Sequence, residues 1–163
     1  MRKTLPFLLS LALSFVVLGW AGMARASHYA VADVPRLITP PQVEKLHKGN
    51  VETTEQLLDK GAKSKDRKAL AKATGLKGPE ILDLVRRCDL LRIKGVGSEM
   101  VLLLEAAGVK STADLAGKQA GPLTEAVQAA NKTAKISEKP PTEPQLADWI
   151  AQAKKLPQIV EDK

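Results

Sequence analysis

Two glycines bracket one apolar residue in Ile93-Lys94-Gly95-Val96-Gly97-Ser98, and that spacing is the feature of this chain best suited to chemistry. Glycines there let the backbone turn tightly, Val96 can plug the join between the flanking helices, and Ser98 is placed to N-cap the helix that follows. A row of open N–H groups at a helix N-terminus holds an anion, a phosphate above all. Arg92, Lys94, Gly95, Val96, Gly97 and Ser98 are therefore the candidate anion-binding set, with Arg86 and Arg87 as further cations nearby. Glu99, one residue past the expected cap, suits the helix dipole but repels a phosphate at the same spot.

Other chemistry finds little footing. The sequence holds only His28 and His47 as histidines and Cys88 as its one cysteine, so neither a three- or four-ligand metal site nor a nucleophile, base and orienting group is apparent. We expect no catalytic residue, no metal and no cofactor. Cys88 falls in helical register with Ile81, Leu84 and Val85, the pattern of a small buried core residue. The basic run from Lys60 to Lys77 reads as a solvated helix face.

The elements that position the glycine bend are helices. Thr39-Pro40-Pro41 opens one that Gly49-Asn50 stops, and Thr53 with Gln56 has capping-box spacing ahead of Leu57. Further helices are expected from Ser64 to Gly75, from Gly78-Pro79 to Leu91, and from Ser98 to Gly108. Ser111 and Asp114 mark the start of the next, Gly121-Pro122 opens another, Asn131 to Pro141 reads as a loop, and Thr142 with Gln145 caps the last. Trp149 lies on the apolar stripe of that last helix, as a core anchor. No segment shows the strict alternation of a strand.

A repeat at a spacing of 58 residues ties these elements together. Val43 matches Val101, Leu46 matches Leu104, Asn50 matches Gly108, Val51 matches Val109, Thr53 matches Ser111 and Leu57 matches Leu115. Asn and Gly are the residue types that best tolerate a left-handed helix end, so the match at 50 and 108 is one of role. The expected fold is all-α: a tandem helix-hairpin-helix, paired with pseudo-twofold symmetry, plus C-terminal helices. In the first unit Leu37-Ile38-Thr39 replaces the glycine bend, and Pro40 and Pro41 have no N–H to offer. Only the second unit is expected to keep an open backbone.

Residues 1–26 read as a secretory signal, with Arg2 and Lys3 at the start, an apolar run from Leu5 to Trp20, and Ala24-Arg25-Ala26 before a cut at Ser27. The alternative is a retained membrane anchor, since Leu5 to Met23 is long enough to span a bilayer. Loss of Arg2, Lys3 and Arg25 with no acid lowers the formal charge from +7 to +4 and leaves Tyr29 and Trp149 as the only aromatics. Residues 27–160 then form one helical domain, with Ser27 to Pro35 as a leader onto it, in the periplasm or secreted.

Ile93 to Gly97 with Leu104-Glu105-Ala106-Ala107-Gly108-Val109 resembles the helix-hairpin-helix of DNA repair and replication proteins. More closely, Asp89-Leu90 through Val109, together with Trp149 to Pro157, resembles a bacterial domain family of unknown function built on a tandem helix-hairpin-helix, over roughly Tyr29 to Val160. That resemblance implies an all-helical fold and no established activity. This chain departs from it at Leu37-Ile38-Thr39, where the family has a glycine hairpin, and at Met100, where it often has an aromatic. The expected function is a non-catalytic binding or scaffolding module of the cell envelope with an unidentified protein partner. The alternative is sequence-independent binding to the DNA backbone through the second hairpin.

Overall fold

Four helix starts in this chain are closed by a residue three positions away, Thr39 with Gln42, Thr53 with Gln56, Ser111 with Asp114 and Thr142 with Gln145. The computed structural model describes residues 29–162, so the signal-like pattern over 1–26 and His28 lie outside the described residues. Within them the structure is all-helical: a short 3₁₀ turn at Val31–Asp33, then α1 (Pro40–Lys48), α2 (Thr54–Gly61), α3 (Ser64–Thr74), α4 (Gly78–Leu90), α5 (Ser98–Ala106), α6 (Thr112–Ala116), α7 (Ala120–Ala134) and α8 (Glu143–Lys155). No strand occurs among the described residues, only an isolated bridge between Ala30 and Thr53.

The 58-residue register recurs in the backbone. Helices α1 and α5 begin 58 residues apart, as do α2 and α6. At the end of α1, Asn50 takes φ 54°, and the Val51 N–H donates to Leu46 O at 3.0 Å; at the end of α5, Gly108 takes φ 81°, and the Val109 N–H donates to Leu104 O at 2.9 Å. Both are left-handed caps in which a six-residue loop of chain closes on an otherwise orphan carbonyl. The next helix starts match too: Thr53 Oγ1 accepts from the Gln56 N–H at 3.2 Å and Ser111 Oγ from the Asp114 N–H at 3.1 Å. Gln56 and Asp114 in turn accept from the N–H groups of Glu52 and Lys110, one residue before the cap.

Packing follows the same order. α2 lies mainly against α4 and α6 against α8, while α1 packs on α3 and α5 on α7. Leu46, Val51, Leu57, Leu104, Val109 and Leu115, three pairs at the repeat spacing, are all fully buried. They belong to one aliphatic cluster that also takes in Ile81, Leu84, Val85, Cys88, Leu123, Leu146, Trp149 and Ile150. Burial of this kind supplies the main driving force, at about 25 cal/mol per Å² of apolar surface removed from water.

Several expectations are corrected. The segment Ser27 to Pro35 is no mere leader where it is described: Val31 and Val34 are buried in the core, and Val31 N–H donates to Glu52 O. Asn131 to Pro141 is not all loop, because α7 continues to Ala134 and ends in left-handed Lys135 at φ 49°. Its start also precedes Gly121-Pro122, with Gln119 as the cap. The basic run is not uniformly solvated, since Arg67 is buried and donates to Gly61 O and Ala62 O, each at 2.9 Å.

Candidate functional site: the turn between α4 and α5

Between α4 and α5 the chain turns through Leu91 to Gly97. Gly95 has φ 92°, a conformation side chains resist, whereas Gly97 is extended at φ −95° and ψ −179°. Val96 is 2% exposed and plugs the join, as expected. The cap is a correction: Gly97, not Ser98, is the N-cap of α5, and Ser98 is its first helical residue. An extended Gly97 already starts the helix, so the Ser98 side chain is not used as a cap.

The bend is held from the far end of the chain. A Cβ on Gly95 would stand 3.0 Å from Trp149 Nε1, so the indole edge of α8 lies directly on the glycine. Beside it, Gln152 grips Lys94 from both sides: the Lys94 N–H donates to Gln152 Oε1 at 2.9 Å, and Gln152 Nε2 donates to Lys94 O at 3.2 Å. The first half has a counterpart. Arg87 stands at the same position in α4 as Gln152 in α8, and its Nη1 donates to Leu37 O at 2.7 Å. α4 thus bonds to the turn ahead of α1, and α8 to the turn ahead of α5.

The two turns differ in what they leave open. At α1 the Thr39 N–H is taken by Gln42 Oε1 at 2.9 Å, within a capping box, and Pro40 and Pro41 carry no N–H. At α5 the N–H groups of Gly97, Ser98, Glu99 and Met100 have no acceptor among the described residues. The backbone is thus closed at the first turn and leaves four amides without an acceptor at the second, although the Val96 N–H, within the expected open row, donates to Ile93 O at 3.0 Å.

The side-chain cations are another matter. Arg92, offered as a ligand, is committed elsewhere: its Nη1 lies 2.6 Å from Asp89 Oδ1 and also donates to Pro157 O at 3.2 Å. Asp89 is itself buried, and its other oxygen accepts from both the N–H and the hydroxyl of Thr112. Arg87 is ion-paired with Glu105 at 2.8 Å, and Arg86 with Asp162 at 2.8 Å. Lys94 remains exposed and without an ion pair among the described residues. Glu99, at the mouth of the bend, is matched by Arg36 at 3.3 Å, and Arg36 also donates to Ile136 O.

Cys88 offers no nucleophile. Burial pushes its thiol up to about 12, reinforced by the neighbouring Asp89 and only partly opposed by Arg87. His47 pairs with Glu52 on the surface at 3.2 Å. Sequence reasoning missed Asp89, Thr112, Trp149 and Gln152 as the residues that fix the bend; their partners lie far along the chain, and no local pattern announces them.

The family model described as Domain of unknown function (DUF4332) matches residues 36–156, most of the chain. The chain belongs to this family. The DUF4332 match takes in both turns and all eight helices, Arg36 at its edge included, and ends one residue past α8. No curated protein and no solved structure matches the chain.

Proposed function

We propose that this DUF4332 chain is an exported, non-catalytic module in which two helix-hairpin-helix units form a pseudo-twofold pair, serving protein interaction or a structural role in the cell envelope. The paired-hairpin reading is supported by the starts of α1/α5 and α2/α6 and the left-handed caps at Asn50 and Gly108, which recur at one spacing, and by the matching order of packing partners. Export is supported by the basic start, apolar run and Ala-Arg-Ala pattern of residues 1–26.

One observation carries the scaffolding role. Every arginine among the described residues, Arg36, Arg67, Arg86, Arg87 and Arg92, is bonded to the chain's own carboxylates or carbonyls. A protein that follows a phosphate backbone keeps such side chains turned outward. Here they tie helices together.

The open amides of Gly97 to Met100, with Lys94 beside them, favour a second reading, sequence-independent binding to the DNA backbone. Fluorescence polarisation of labelled duplex DNA at about 50 and about 200 mM salt separates the two. No change with protein on the order of tens of micromolar is expected for a scaffold. Binding that falls steeply with salt and is lost in Lys94→Glu or Gly97→Pro would replace that reading with the second. N-terminal sequencing of the protein recovered outside the cytoplasm is expected to start at Ser27.

A further inference from the structure

Past α8 the chain runs back to the first half. Leu156 leaves the helix at φ −75° and ψ 137°, Pro157 O is held by Arg92, and Ile159 and Val160 rest half-buried on the core. Glu161 fills the elbow between α2 and α3, where its N–H donates to Ala62 O at 2.9 Å and its carboxylate accepts from the Ser64 N–H at 2.9 Å. Beyond that closed elbow, α3 and the first turns of α4 line a cleft of about 520 Å³, which falls within the roughly 300–1,000 Å³ of ordinary binding clefts. The corner joining the two helices shapes it. The Thr74 hydroxyl donates to Leu70 O at 2.8 Å and accepts from the Leu76 N–H at 3.2 Å, and left-handed Gly75 at φ 72° puts its N–H on Ala71 O at 2.9 Å. All of these bonds lie within residues 70–76, so the corner takes its shape without help from the tail.

Ala71, Pro79 and Leu82 give the cleft an apolar wall. Pro79 is exposed, Leu82 is half-exposed, and Leu82 stands outside the aliphatic core cluster. Lys68 and Lys72, four positions apart on α3, are exposed on the same cleft. Neither has an ion pair among the described residues, whereas Lys60 donates to Asn50 O and Lys63 pairs with Glu161. The carboxylate of Asp162, also on the wall, is already taken by Arg86 at 2.8 Å. Like charges at that helical spacing repel, and an acid placed between them removes the cost.

We propose that this cleft docks an acidic segment of a partner protein, one in which carboxylates flank a bulky apolar side chain. The apolar group covers Leu82, Pro79 and Ala71, and the carboxylates meet Lys68 and Lys72. Uncompensated lysine charge sets the sign of the partner. The apolar wall selects a peptide over a nucleic acid, whose phosphate backbone has no side chain to cover Leu82. This inference deepens the protein-interaction role proposed above and rests on it.

The test uses the full chain and a fluorescein-labelled peptide, Gly-Glu-Asp-Leu-Leu-Asp-Glu-Gly, followed by fluorescence polarisation at low salt. Binding is expected, and Lys68→Glu combined with Lys72→Glu should weaken it at least about tenfold, with circular dichroism verifying that the fold is kept. Replacing both peptide leucines by serine should weaken it at least about fivefold, and Leu82→Gln in the protein should erase the difference between the two peptides. Equal binding by the double lysine variant, equal binding of the serine peptide, or no binding with protein on the order of 1 mM would overturn the proposal. So would a chain that ignores the peptide but sediments with phosphatidylglycerol vesicles through the same two lysines, since the surface would then be a lipid contact. The duplex DNA titration tests the protein-interaction reading separately, through Lys94 and Gly97, neither of which lines the cleft, so the two failures are distinguishable.

Discussion

Asp89 shows how much one side chain holds here. It is almost wholly buried, pairs with Arg92, and accepts from both polar groups of Thr112 at the start of α6, so it fastens α4, the turn after it and α6 at one point. Asp89→Ala leaves a largely buried guanidinium and a buried Thr112 N–H without their acceptor, and we expect a loss of about 3 kcal/mol in urea unfolding. A loss below about 1 kcal/mol would mean that water or rearrangement replaces the carboxylate. The adjacent Cys88 sets a pH limit. Its thiol ionises in the unfolded chain near the ordinary 9.0 but in the folded protein only near about 12, so the unfolded state releases the proton first. Stability should therefore fall as pH rises through that interval, and less so in Cys88→Ala. In native protein at pH 8 the thiol should resist a disulfide reagent that labels it at once in denaturant.

Among the elements, the helix ends were the most legible part of the sequence. Thr53 with Gln56, Ser111 with Asp114 and Thr142 with Gln145 interact across three positions, and a cap of that span can be read from neighbours alone, while Thr39 was legible as a cap without its partner Gln42. Asn50 and Gly108 were legible for the same reason, as local left-handed stops. The shift of the α5 cap from Ser98 to Gly97 was not, because an extended glycine and a capping serine make the same sequence signal. Illegible too were the contacts that set the bend: Lys94 with Gln152 spans 58 residues and Thr112 with Asp89 spans 23. The candidate ligands Lys94, Gly95, Val96, Gly97 and Ser98 do come together, but Arg92 is drawn off by a partner that composition does not reveal. Gly95→Ala should be destabilising by more than about 1 kcal/mol, since it adds a Cβ at positive φ against the indole, whereas Gly97→Ala meets open space and should change stability far less. Chemical denaturation of the pair checks the contrast.

For the whole molecule, the returning tail links the end of the second half to the elbow of the first. The Ser64 N–H and then Lys63 hold the Glu161 carboxyl below its ordinary 4.5. A carboxylate held down in this way stabilises the docked tail above that value, and the contribution disappears as pH falls through the lowered one. The Ser64 amide proton resonance should therefore titrate with a midpoint below 4.5, and a midpoint at or above it would show the carboxylate released. Trp149 and Gln152 bear on the timing of assembly as well as on geometry. The groups that bend Lys94 and Gly95 emerge from the ribosome more than fifty residues after them, so during synthesis the glycines are present long before anything curves them. We expect a polypeptide stopping short of residue 149 to carry the motif's letters without its shape, which amide exchange at Lys94 in a truncated chain would check.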